Sequence, residues 1–296
     1  MHRYFPSPAI LTSGPADESS ASAQELEPSA ASAGALTTRL DALASARQTA
    51  TRPPAIPNWP EPVRGAPNAF LRCALFAAVQ GQQRQVFKKR TLLASTRNIE
   101  IRFQGVQLDQ SDLDVWLQIV HLSRNQLPGL PVAFSAYSLL SALQRDRGKG
   151  QYVWLADSLA RLGGALIELT FEGRHTFGEH LLSYYRDEAT RQYVVLPTVE
   201  MCRLFQGGYS HVQWHQREQL RRKPLTLWLH GYLCSHALPY PIKVATLHRL
   251  SGSTTQNLRD FKLRLRGALE ELAQVGALDG FEITGDGRLV IDRQDT

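Results

Sequence analysis

Between residues 254 and 266 a short polar stretch gives way to cations: Thr254, Thr255, Gln256 and Asn257 are followed by Arg259, Lys262 and Arg266. Small polar side chains at a helix start let the chain approach base edges closely, and the helix dipole there favours phosphate. Thr255, Arg259, Lys262 and Arg266 recur at spacings of 4, 3 and 4, which at about 100° per residue sets them in one stripe. Leu258, Phe261, Leu265, Leu269 and Leu272 recur at 3, 4, 4 and 3 and form a second stripe suited to a hydrophobic core. One face is anchored and the neighbouring face presents cations. Most basic stripes on helices simply face water, so the surroundings have to decide what this one does.

Other groups could do chemistry of the same kind. Lys149, Gln151 and Arg161, with Ser158 and Trp154 between them, lie on a predicted helix in the first half, where Trp154 is better read as core because of the apolar area it must hide. Arg221, Arg222 and Lys223 could clamp phosphates or form a solvated linker, and Arg288 sits on a predicted hairpin. Bond-breaking chemistry is poorly served. Tyr184 and Tyr185 could serve a strand-nicking enzyme, but such an enzyme holds its metal with a His-hydrophobic-His motif, and no His-x-His occurs in the chain. His211 and His215 have helical ligand spacing, yet Val212 stands where a zinc hydrolase needs its glutamate. Cys234 and His236 lack partner ligands, and Arg147–Gln151 does not make the Gly-x-x-x-x-Gly-Lys-Ser/Thr loop of nucleotide hydrolases. No catalytic residue, metal or cofactor is expected, and the chain reads as a binding protein, not an enzyme.

The chain has 296 residues and a formal charge of +6, which favours polyanionic partners, nucleic acid first. No apolar run approaches the roughly 20 residues that span a membrane and no leader pattern opens the chain, so a cytoplasmic protein without membrane contact is expected. Its three cysteines are widely spaced in apolar contexts, as buried thiols are in a reducing compartment. Residues 1–57 are rich in Ala, Ser, Thr and Pro and cannot offset the entropy of ordering, so they are read as a disordered tail in which 38–48 could form a transient helix. Deleting residues 1–57 is accordingly expected to leave the melting transition unchanged.

Beyond the tail the same order of elements occurs twice. Residues 98–108 alternate as strands do. A helix over 111–124 follows, with Ser111 as N-cap and Leu113, Trp116, Leu117 and Val120 on one face. Then come a strand at 130–134, a short helix at 135–144, a turn, and a helix at 151–164. Residues 165–173 and 193–205 read as two long strands with a basic segment between them. In the second half Pro224 opens a helix over 224–236 with Leu225, Trp228, Leu229 and Tyr232 on one face. An extended 240–244, a short helix at 245–252, the basic helix and a hairpin turned at Gly285–Gly287 complete it. "LARLGGALIEL" in one half parallels "LEELAQVGALDGFEI" in the other, so two copies of one unit are expected. The order describes an α+β protein of tandem winged helix-turn-helix domains, 58–210 and 211–296, behind the tail. In that fold the third helix enters the major groove and the wing touches phosphates.

Four segments carry a resemblance to a known family: "RFQGVQLDQSDLDVWLQIVHLSR", "YRDEATRQYVVLPTVEMCRLFQGGYSHVQW", "LCSHALPYPIKVATLHRLSGS" and "LRGALEELAQVGAL". From Pro57 to the end the chain resembles the TrfA family of plasmid replication initiators, which are similar to iteron-binding Rep proteins. The resemblance implies tandem winged helices on direct repeats of double-stranded origin DNA, followed by engagement of the host initiator DnaA and helicase DnaB. It also implies monomers that act at the origin and dimers that limit copy number. The family's sliding-clamp motif has no equivalent in the tail, where "AQELEP" lacks the paired hydrophobics, which puts a clamp contact in question.

Overall fold

The computed structural model describes residues 55–79, 84–96, 99–127, 130–171, 175–236 and 240–292. The expected disorder and transient helix at 1–54 lie outside these residues. The first half opens with β1 (Val63–Pro67), α1 (Asn68–Leu71), β2 (Phe76–Ala77), β3 (Val86–Leu93), β4 (Ile99–Val106) and β5 (Leu108–Asp109), which run into α2 (Gln110–Ser123). It continues through β6 (Val132–Ser135), α3 (Ala136–Ala142), α4 (Lys149–Gly164), β7 (Leu166–Phe171), β8 (His175–His180), β9 (Tyr184–Asp187), β10 (Gln192–Val195), α5 (Val199–Arg203) and β11 (Tyr209–Gln213). The second half is α6 (Trp214–Gln219), α7 (Pro224–Cys234), β12 (Ile242–Lys243), α8 (Val244–Leu250), α9 (Leu258–Gln274), β13 (Gly280–Ile283) and β14 (Arg288–Asp292). Helix and strand are mixed throughout.

The halves share a connectivity. In the second, β12 pairs with β14 and β14 with β13, so the short strand before α8 closes onto the last strand of the terminal hairpin. In the first, β6 pairs with β10 and β10 with β9 in the same sense. The first half departs from the expected plan after α4. Instead of two long strands there are two hairpins, and β7–β8 joins β3 and β4 in a four-stranded sheet of order β3-β4-β7-β8. Residues 199–203, expected as strand, are helical because Thr198 caps them, its Oγ1 accepting from the Met201 N–H at 3.1 Å. The start of α2 also moves. Asp109, not Ser111, is the N-cap: its Oδ1 accepts from the Ser111 and Asp112 N–H groups, and Asp112 Oδ2 accepts from the Asp109 N–H.

Two hydrophobic clusters hold the halves. One runs from Ile56 and Trp59 to Trp214, and the other from Leu220 to Leu289. The division expected after residue 210 falls inside β11, which pairs along its length with β1, so the cores part between Trp214 and Leu220. The tail boundary at 57 is likewise too late. Ile56 is buried in the first cluster, and Trp59 beside it covers β1 so closely that a Cβ on Gly65 would come within 2.4 Å of its ring. The full deletion of 1–57 therefore removes a core side chain. Ile56→Ala is expected to lower stability by about 2 to 4 kcal/mol, as other large-to-small core changes do, measured by denaturant unfolding. Deletion ending at residue 51 should leave the midpoint unchanged.

Candidate nucleic-acid interface

The helix carrying the basic stripe, α9, is held by one face. Phe261, Leu265, Leu269 and Leu272 are fully buried in the second core, with Ala268 beside them. Leu258 departs from the expected stripe: as the first residue of the helix it projects past the core and is 45% exposed. Arg259 and Arg266 are exposed and Lys262 partly so. Among the described residues none of these three cations has a carboxylate within ion-pair distance.

The polar residues expected at the helix start form the turn before it. The helix begins at Leu258, and Asn257 is its N-cap, with Oδ1 accepting from the Asp260 N–H at 2.8 Å. Thr254 and Gln256 are exposed. Thr255 is instead a strut. Its carbonyl accepts from His248 Nε2 at 2.8 Å, which fixes the proton on that ring nitrogen, and its Oγ1 accepts from Arg264 at 3.3 Å. The His248 ring in turn packs on Phe261, with centroids 4.6 Å apart. On the other side of the turn Gly252, at φ +61°, lies so close to the first half that a Cβ would come within 2.9 Å of Ala77. The Ala78 N–H donates to the Ser251 carbonyl at 2.7 Å. The presentation of α9 is therefore set from both halves of the molecule. Arg288, on β14 of the adjacent hairpin, is exposed but pairs with Asp286 at 2.9 Å.

The first-half residues are placed differently. Gln151, Arg161, Arg221 and Arg222 line one cleft of about 1010 Å³ between the halves. Arg161 is a structural residue: its guanidinium pairs at 2.8 Å with Asp112, a fully buried carboxylate that also receives Arg84 and the Ser158 hydroxyl. Ser158 is buried with it. Gln151 accepts from Arg145 at 3.0 Å, and the Arg145 guanidinium lies 3.4 Å above the Trp154 ring, so this tryptophan is covered from the cleft side by a cation while its body packs on the core. Arg221 donates to the Glu218 and Gln144 carbonyls, and Lys223 pairs with Glu271 at 3.0 Å. Lys149 and Arg222 are exposed, and neither has a carboxylate within ion-pair distance among the described residues.

The groups weighed for catalysis are not assembled. Tyr184 and Tyr185 lie side by side on β9, and burial pushes the Tyr184 phenol up, away from activation. His211 is on a strand and His215 on a helix, so their spacing does not give a helical ligand pair. The three cysteines are thiols outside any disulfide, and burial pushes the Cys73 thiol up to about 12. The residues that sequence reasoning missed are Asp112, whose core role needed knowledge of two distant arginines, and Leu263 and Arg264, which stand outside both stripes.

The sequence pattern of the TrfA protein family matches residues 51–287. The chain belongs to the TrfA family. A relative from Escherichia coli, named plasmid replication initiator protein TrfA, is 26% identical over 236 residues, covering 77% of this chain and 61% of that protein. The chain thus matches less than two thirds of the length of that family member. A crystal structure of domains 2 and 3 of RctB superposes with a TM-score of 0.50 at 13% identity, covering 76% of this chain and 96% of RctB's, which shows a shared fold.

The split between structural and unpaired cations can be measured. Arg161→Ala should cost about 1.5 to 3 kcal/mol of stability by removing charged hydrogen bonds to Asp112. Arg259→Ala should change stability by less than about 0.5 kcal/mol, as exposed substitutions do. Thermal melts of the two variants decide it, and equal destabilisation would remove the distinction.

Proposed function

We propose that the chain is a replication initiator whose halves are tandem winged-helix domains binding direct repeats in a plasmid origin. The observation that carries this is α9: a helix fully anchored on one side with three cations unpaired on the other, in a member of the TrfA family. The reading is supported by the order helix, strand, helix, helix in each half and by the pairing of that early strand with the second strand of a later hairpin, which follows directly in the second half and after the interposed β7–β8 hairpin in the first. In this reading α9 lies in the major groove, and Thr254, Gln256 and Arg259 face bases. Lys262 and Arg266, with Lys149 and Arg222, meet phosphates. Binding opens the origin and brings in DnaA and DnaB. Activity is balanced by self-association, and the protein works in the bacterial cytoplasm. No covalent step is involved, so supercoiled origin DNA should stay uncut with magnesium or manganese.

Footprinting on the parent replicon is the direct test. Several evenly phased direct repeats are expected, and a single palindrome over a promoter would instead make the chain a repressor on the same scaffold. Binding should weaken with salt on a log-log slope steeper than about −4, since each neutralised phosphate contributes about −0.9. Arg259→Ala should cost about 1 to 3 kcal/mol on the repeat and relax one base position, and Lys262→Ala and Arg266→Ala should weaken all sequences alike. A flat salt response, or full repeat affinity in Arg259→Ala, would remove α9 as the reading element.

A further inference from the structure

The outermost residue of α9 is apolar. Leu263 is 72% exposed, lies two residues from both buried Phe261 and buried Leu265, and therefore points away from the core at about 100° per residue. It takes no part in either hydrophobic cluster. Arg259 stands one turn before it and Arg266 one turn after, both exposed and without a carboxylate partner among the described residues. An isobutyl group between two unpaired guanidinium groups does nothing for the fold, and nothing in the packing of the helix asks for it.

We infer that Leu263 reads thymine in the bound repeat by contact with its C5-methyl group. This rests on the proposed binding of duplex DNA by α9. The major-groove floor offers one apolar feature, the thymine methyl, and that feature lies among acceptors and between phosphates that suit flanking arginines. An apolar protein partner fits less well: covering Leu263 would also desolvate Arg259 and Arg266, which a protein surface would have to match with two placed acids, whereas DNA supplies the anions on both sides. Leu263 is thus a specificity residue between two affinity residues, and it separates A·T from G·C at a position where neither arginine has a reason to prefer thymine.

The test uses the full chain and the repeat it enriches from a random duplex library. Each thymine of that repeat is replaced singly by deoxyuridine, which deletes the methyl and leaves base pairing intact. The native chain should lose about fourfold in affinity at one or two neighbouring positions, the effect of withdrawing one methyl group from an apolar contact. Leu263→Ala should bind the thymine and deoxyuridine duplexes equally at those positions. Leu263→Met, which keeps an apolar tip, should retain the difference. The position is exposed, so both variants are expected to fold, and thermal melts check this directly. An enriched repeat without any methyl-sensitive position, or one whose sensitivity survives in Leu263→Ala, overturns the inference and leaves the binding function standing. Failure to enrich any sequence overturns both. Should Leu263→Ala lose self-association while its methyl sensitivity is intact, the residue serves a protein contact and the inference falls.

Discussion

Arg217 is the joint on which the arrangement of the two halves depends. It is fully buried at the end of α6, where the first core has ended and the second has not begun. Its guanidinium donates to the Asp114 carboxylate and the Gln110 side chain on α2, and to the Leu227 carbonyl on α7. A buried cation held by three groups on two helices tolerates little rotation, because each lost partner leaves charge unsolvated. Desolvation raises the Asp114 carboxyl above the ordinary carboxylate range, and the guanidinium beside it pulls the other way. The second core is thereby set against the first, and the turn before α9 meets Ala77 and Ala78 in one register. What α9 presents is decided partly by a residue far from it in sequence.

The same requirement sorts the cations. Asp112 is completely buried, so it must collect positive partners, and it takes Arg84 and Arg161. Those arginines are held by a structural carboxylate. Glu271 similarly takes Lys223, and Asp286 takes Arg288. A net charge of +6 says nothing about where the unpaired charge lies. After pairing, α9 retains Arg259, Lys262 and Arg266 on one helix face.

Much of this was legible in the sequence, and the failures have specific causes. The core stripe of α9 from Phe261 to Leu272 follows from periodicity, since a helix that buries one face must repeat at 3.6 residues. Leu258 broke the pattern because periodicity gives direction around the axis and not position along it, and at the first residue there is no core left to meet. In the sequence Arg161 reads as a DNA-facing cation on the same predicted helix as Gln151. The carboxylate that claims it lies 49 residues earlier, a distance at which local spacing carries no signal. The β7–β8 hairpin was hidden because the β8 sequence is polar, and its pairing with β7 serves a sheet begun by β3 and β4 before the duplicated unit.

That insertion bears on how far the two halves are equivalent. Both keep the pairing of early strand with last strand, but in the first half the chain leaves α4 for a separate sheet before returning to β9 and β10. The exposed face of α4 carries Lys149, Val153, Ala156, Asp157 and Ala160, with one cation and one acid, where the matching positions of α9 carry Arg259, Leu263, Arg266, Gly267 and Glu270, with two cations and one acid. Each face includes one acid, so the two faces differ in the cations available to meet phosphate. Duplication of the scaffold therefore does not imply duplication of the interface. In the proposed function the second half holds the denser set of DNA contacts, and the first half, joined to it through Arg217, holds α9 at a fixed angle.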